Sequence, residues 1–131
     1  MKKIRVGIVG LGRAGWGMQV AELRRRPDKY TITAVCDVLE ERRAKASKEL
    51  GCCAYSQIEQ LVQDSEVDLV SIASRSCDHL AHTQIALASG KDVLLEKPMC
   101  RNATEAEATR QAAKEAKGNL YIRHNRRFEP T

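Results

Sequence analysis

Gly10-Leu11-Gly12-Arg13-Ala14-Gly15 (GLGRAG) is the stretch whose reading decides the fold. Before it stands Ile4–Val9 (IRVGIV), a short apolar run with β-branched residues that reads as a strand. After it comes a helical stretch reaching to about Arg26. A glycine turn is common by itself, but GxGxxG placed between a strand and a helix is the context that dinucleotide phosphates require. Gly10 permits the tight turn, Gly12 lets the backbone approach a pyrophosphate, and Gly15 lets the helix lie close on the strand. The free amides at the helix start then face the phosphates, where the helix dipole favours negative charge. All six residues of the loop, Gly10, Leu11, Gly12, Arg13, Ala14 and Gly15, are therefore expected to line a dinucleotide.

Outward from the loop, Thr31–Cys36 (TITAVC) reads as a second strand, and Asp37 ends it 22 residues beyond Gly15. That is close to the spacing of about 20 at which an acid meets the adenosine ribose. A carboxylate there accepts bonds from the 2′- and 3′-hydroxyls and repels a 2′-phosphate, so NAD is the expected cofactor. Arg42 and Arg43 keep NADP possible, since either guanidinium is within reach of a 2′-phosphate. The plainer alternative for Asp37 is a turn residue capping the next helix. S-adenosylmethionine enzymes share a glycine turn and an acid, but the third, helix-opening glycine favours the dinucleotide.

The remaining chain repeats the alternation. Glu40 to Leu50 reads as a charged surface helix, with Gly51 placed for a left-handed cap. A weak strand is expected near Cys53 to Tyr55. Ser56 is expected to cap a short helix, with Glu59 completing a capping box. Leu69–Ala73 is the fourth strand, Asp78–Ser89 a helix ending at Gly90, and Asp92–Glu96 the fifth strand. A helix from about Ala103 to Lys117 is bounded by Asn102 and Gly118 as caps, and Leu120–His124 is the sixth strand. Strands alternating with helices predict an α/β fold, a doubly wound parallel sheet of about six strands in a three-layer αβα sandwich of Rossmann type. Residues 1–124 are read as this domain and residues 125–131 as the start of a connection onward.

Composition narrows the function classes. The 131 residues suit one domain, and 43% hydrophobic with 30% charged residues is ordinary for a soluble protein. No apolar run approaches the roughly 18 residues needed to cross a bilayer, and Met1-Lys2-Lys3 leads straight into a strand rather than a signal sequence. No membrane partner is expected, and the cytoplasm is. The formal charge of +5 raises nucleic acid as a partner, but basic residues are interleaved with 17 acidic ones and aromatics make up only 4%. Arg24, Arg25 and Arg26, the tightest basic run, fall at a helix end before Pro27, where cations suit the dipole. No nucleic-acid partner is expected. The five cysteines include no CxxC pair and suggest no zinc or disulfide framework, so most are read as small buried residues and no metal is expected.

Later motifs add a resemblance. Residues 71–99, SIASRSCDHLAHTQIALASGKDVLLEKPM, resemble the Gfo/Idh/MocA family grouped around glucose–fructose oxidoreductase and inositol 2-dehydrogenase. The polar turn Ser74-Arg75-Ser76-Cys77-Asp78-His79, the helix closing at Gly90 before strand five, and the hallmark Glu96-Lys97-Pro98 carry it. The end of the chain, His124-Asn125-Arg126-Arg127-Phe128-Glu129-Pro130, is similar to the family's entry into its second domain. Departures are Arg75 where proline is frequent, Ser76 where asparagine is, and Trp16-Gly17 after the glycine loop.

The resemblance implies that Ala73, Ser74, Arg75, His79 and Glu96, with Asn125 and Arg126, join the loop and Asp37 around the cofactor. It implies that Lys97 contacts both cofactor and substrate as the catalytic residue, and that Lys97-Pro98 is a cis peptide. A lysine at the carboxyl end of a central strand suits that role, because it can hydrogen-bond a substrate hydroxyl and stabilise a developing alkoxide. His79 is expected to orient a helix start or touch the cofactor; His82 has no assigned role. Arg126 and Arg127 are candidates for substrate oxygens, with a solvated chain end as the equal alternative. The implied activity is hydride transfer between NAD(P) and a secondary alcohol of a sugar, inositol or related polyol. A second α+β domain, a homo-oligomer, and weak or absent catalysis by this chain alone are also implied. The alternative is a stand-alone NAD(H)-binding or redox-sensing module.

Overall fold

The computed structural model describes residues 3–96 and 102–123. Its β-strands are β1 (Ile4–Val9), β2 (Tyr30–Cys36), β3 (Cys53–Tyr55), β4 (Leu69–Ile72), β5 (Asp92–Glu96) and β6 (Leu120–Arg123). They form one sheet in the order β3-β2-β1-β4-β5-β6, with every neighbouring pair parallel. The order reverses between β1 and β4, so their carboxyl ends open the crevice in which ligands of such sheets bind.

Connections alternate with the strands. A π-helical segment, Arg13–Val20, runs directly into α1 (Ala21–Arg24); α2 is Glu40–Leu50, α3 Ile58–Leu61, α4 His79–Ala88 and α5 Ala103–Glu115. Strand alternation sorts side chains into two cores. Val70, Ile72, Val93 and Leu95 pack with α3, α4 and α5 residues such as Leu61, Ala86 and Leu87. Val6, Ile8 and Val35 pack with Val20 and Ala46 on the opposite face. The sheet is thus covered from both sides, as a parallel sheet requires.

Several local expectations need correction. The helical stretch predicted to about Arg26 is present, but it runs as a π-helical segment followed by four α-helical residues and ends at Arg24. The cap of α3 is Gln57, and its box partner is Gln60: each side chain bonds the other's backbone amide. The predicted pair, Ser56 and Glu59, sits one residue too early to bond the free amides. α5 ends at Glu115, and Gly118 is not its cap. A Cβ on Gly118 would lie 2.3 Å from the carbonyl oxygen of Lys91, so glycine there serves close approach to the start of β5. Among the described cysteines only Cys36 is buried: Cys52 is intermediate, and Cys53 and Cys77 are exposed, while Cys100 lies outside the described residues. Gly51 does take the left-handed conformation, with φ +64, and Asn102 accepts a bond from the Glu105 amide at 2.9 Å.

Candidate cofactor site

The glycine loop joins three strand ends backbone to backbone. Gly10 has φ +95 and donates its N–H to the Cys36 carbonyl at 2.8 Å. A Cβ on it would come within 2.7 Å of the Ser74 nitrogen and 2.8 Å of the Ala73 carbonyl oxygen. A Cβ on Gly15 would stand 1.8 Å from the Gly10 carbonyl oxygen. Both places exclude any side chain. Gly12 differs, since its Cβ would meet only the Arg42 guanidinium, at 3.4 Å. Its approach is open to a ligand. The Trp16 N–H returns to the Gly12 carbonyl at 2.8 Å, which starts the coil and leaves the earlier amides at its open end. The residues present fit a pyrophosphate there.

Asp37 is 7% exposed and ties the loop to β2. Its Oδ2 accepts the Leu11 N–H at 2.8 Å and its Oδ1 the Leu39 N–H at 2.9 Å. Its own N–H donates to the Tyr55 carbonyl at 3.1 Å. The cap residue of α2 is Leu39, so Asp37 is not merely its N-cap. Two arginines approach and separate in role. Arg43 bonds the carbonyls of Asp37 and Val38, at 2.9 and 3.1 Å. Arg42 holds its guanidinium 3.5 Å from Asp37 Oδ2, with its side chain half exposed over Gly12. Beside Asp37, the Cys36 thiol is pushed up to about 12, by burial first and the neighbouring carboxylate second.

Across the crevice, Ser74 follows β4 and is gripped twice. Its carbonyl accepts the Nε2–H of His79 at 2.7 Å, and its hydroxyl lies 2.7 Å from Nδ1 of His82. The carbonyl contact places the proton of His79 on Nε2. His79 is fully buried, and burial lowers the pKa of His82 below its ordinary 6.5. Ala73 is buried under the loop, whereas Arg75 projects into solvent and reaches Asp78 only at 3.8 Å.

Glu96 closes β5 and is 4% exposed. The Gln19 amide donates to its Oε2 at 2.7 Å, and the Ser71 hydroxyl in turn donates to Gln19 Oε1. Trp16 packs into the core beside Val20, with the Lys45 ammonium 4.9 Å from its ring centre.

The structure therefore gathers Gly10, Leu11, Gly12, Gly15, Asp37, Ala73, Ser74, His79 and Glu96 along the carboxyl edge of the sheet, with Arg13 and Ala14 in the coil that leaves the loop. Arg75 stands apart in solvent. Lys97, Asn125 and Arg126, with Pro98, Arg127 and the expected cis peptide, lie outside the described residues. Gln19, Ser71 and the partnership of His82 with Ser74 were missed in the sequence. The one signal for Gln19 was its place a turn beyond Gly15, in the part of the coil pressed nearest the sheet. Among the described residues no cluster of three metal-ligating side chains occurs, and no helix is long and apolar enough to cross a membrane.

Residues 4–124 match the model of an oxidoreductase family with an NAD-binding Rossmann fold, Gfo/Idh/MocA. The chain belongs to this family. It is 32% identical to a UDP-N-acetylglucosamine 3-dehydrogenase of Acidithiobacillus ferrooxidans over 99% of its own length and 40% of that protein's. The WlbA dehydrogenase of Bordetella pertussis, solved with NADH and UDP-GlcNAcA, superposes with a TM-score of 0.90 at 25% identity, over 98% of this chain and 39% of that one. A scyllo-inositol dehydrogenase of Lactobacillus casei, solved with NAD(H) and scyllo-inositol, gives 0.81 at 32% identity, over 91% and 36%. The chain thus spans about two fifths of the length of these family relatives.

Proposed function

We propose that this chain is the nicotinamide-binding part of a dehydrogenase that moves hydride between NAD and a secondary alcohol of a sugar, inositol or related polyol. The observation that carries the reading is the Asp37 carboxylate, buried at the end of β2 and bonded to the glycine loop, beside a Gly12 backbone open to a ligand. Asp37 Oδ1 accepts one backbone N–H and has a further lone pair for a ribose hydroxyl, while Oδ2 accepts the Leu11 N–H and a long bond from Arg42 at 3.5 Å. The loop amides hold the pyrophosphate, and Gly10 and Gly15 keep loop, coil and β4 in register beneath it. Ser74, held by its two histidines, and Glu96 flank the other half of the dinucleotide.

The bound nicotinamide supplies the hydride-accepting carbon; the protein's part is position and charge. Lys97, next after Glu96, is the residue proposed to hold the substrate hydroxyl and stabilise the alkoxide. Sugar and inositol ligands in the solved relatives support a polyol-type substrate. The region from 125 onward is proposed to lead into a substrate domain, and the complete protein is proposed to be a cytoplasmic homo-oligomer.

Arg42 favours one variation, the use of NADP. Its guanidinium already stands over Gly12 and neutralises part of the Asp37 charge that would repel a 2′-phosphate.

Calorimetric titration with NADH and NADPH, in the parent and in Asp37→Ala, tests the reading. NADH is expected to bind the parent and to weaken at least about tenfold in the variant, as loss of charge-assisted bonds implies. Failure of the parent to bind either cofactor would overturn it. A preference for NADPH that Arg42→Ala removes would establish the NADP variation.

A further inference from the structure

On the face carrying Val6, Ile8 and Val35, β4 and β5 also carry Leu69 and Leu94, but toward their carboxyl ends the same face holds Ser71 of β4 and Glu96 of β5. Between them lies Gln19. All three are nearly dry, at 2% exposed for Ser71 and Gln19 and 4% for Glu96. The same strands carry Ile72 and Leu95 on the other face, in an apolar core. A site filled only for stability would hold a leucine where Gln19 stands, because a buried polar chain contributes little net stability over well-packed apolar residues. What such a chain supplies is direction. Gln19 satisfies both ends of its amide: the nitrogen donates to Glu96 Oε2 at 2.7 Å, and the oxygen accepts from Ser71. Its flip state is fixed by these two partners.

The place of this chain matters. Gln19 belongs to the coil whose open end faces the glycine loop, and π-helical turns often mark functional positions. Asp37 stands on the β2 side of the crevice, so the adenosine half of a dinucleotide lies there. The other half must then cross the switch point to the ends of β4 and β5. Gln19 therefore connects the coil beneath the pyrophosphate to the strand end beneath the nicotinamide. We propose that Gln19 is a positioning residue for the nicotinamide half of the cofactor, acting through the Glu96 carboxyl that it orients. It touches no reacting atom itself. The inference rests on the dinucleotide reading above.

The test compares two ligands that differ only in the nicotinamide. NADH and ADP-ribose are titrated into the parent chain and into Gln19→Met, which keeps the length and removes both hydrogen bonds. The expected result is that NADH weakens about tenfold while ADP-ribose stays within about twofold, a loss on the scale of one or two buried hydrogen bonds. Equal weakening of both ligands would make Gln19 a structural residue and overturn the proposal, as would no weakening of either. Should Gln19→Met not fold, Ser71→Ala releases the other end of the amide and is read by the same ratio, with about threefold expected for NADH. Absence of NADH binding by the parent chain is the separate outcome that removes the dinucleotide reading itself.

Discussion

At the scale of single residues, side chains with special backbone duties were the legible ones. Gly10, Gly15 and Asp37 announce themselves because each answers a constraint written into nearby sequence: a turn, a close packing, an acid at a strand end. Gln19, Ser71 and His82 answer constraints from residues 52, 77 and 8 positions away, and nothing in their own neighbourhoods shows it. A glutamine in a helical stretch reads as surface until the strand above it is known. His82 shows the energetic consequence. Burial lowers its folded pKa below the ordinary 6.5, the nearby Asp78 opposing in part. In the unfolded chain it protonates first as pH falls, so the unfolded state then binds more protons and stability drops. Its contribution is complete above about pH 6.5 and is lost as pH falls through the lowered folded value. Urea midpoints at pH 7.5 and pH 5 are expected to show a smaller acid loss in His82→Gln than in the parent. Equal losses would mean that His82 titrates alike in both states.

At the scale of elements, the strands were readable almost to the residue, because short β-branched runs between turn residues have few other uses. Helix ends were less so. The capping box of α3 lies at Gln57 and Gln60, and glutamine, a weaker cap signal than serine, does not advertise itself. Gly118 has the look of a helix end but serves a close strand contact, which only the tertiary structure reveals. A substitution pair separates these cases. Asn102→Ala removes the bond to the Glu105 amide and is expected to reduce stability by about 1 kcal/mol, the usual value of an N-cap. Gly118→Ala forces a Cβ against the Lys91 carbonyl, 2.3 Å away, and is expected to cost more, about 2–3 kcal/mol, since backbone yields less than side chain. Chemical denaturation reads both. A mild effect at Gly118 would mean that the turn before β6 shifts freely.

At the scale of the whole molecule, the topology gives the ligand its reach. The sequence foretold alternation, and alternation with right-handed crossovers yields a sheet whose order reverses once, between β1 and β4. Asp37 and Glu96 then fall on opposite sides of one crevice, each in a different half of the fold, and Gln19 reaches from the first half to the second. A dinucleotide that spans the crevice must tie the halves together; one anchored only by its adenosine must not. Ligand at about 100 times its Kd adds about 2.7 kcal/mol of stability by mass action, wherever it binds. Hydrogen exchange resolves where that stability appears. With saturating NADH, protection is expected to rise at the amides of Leu11 to Gly15 and also at Ala73 to Arg75, which follow β4. ADP-ribose is expected to protect the first group fully and the second only weakly. Protection confined to the glycine loop with both ligands would mean that the nicotinamide half is not held by this chain, and that its seat is built by residues beyond the sheet.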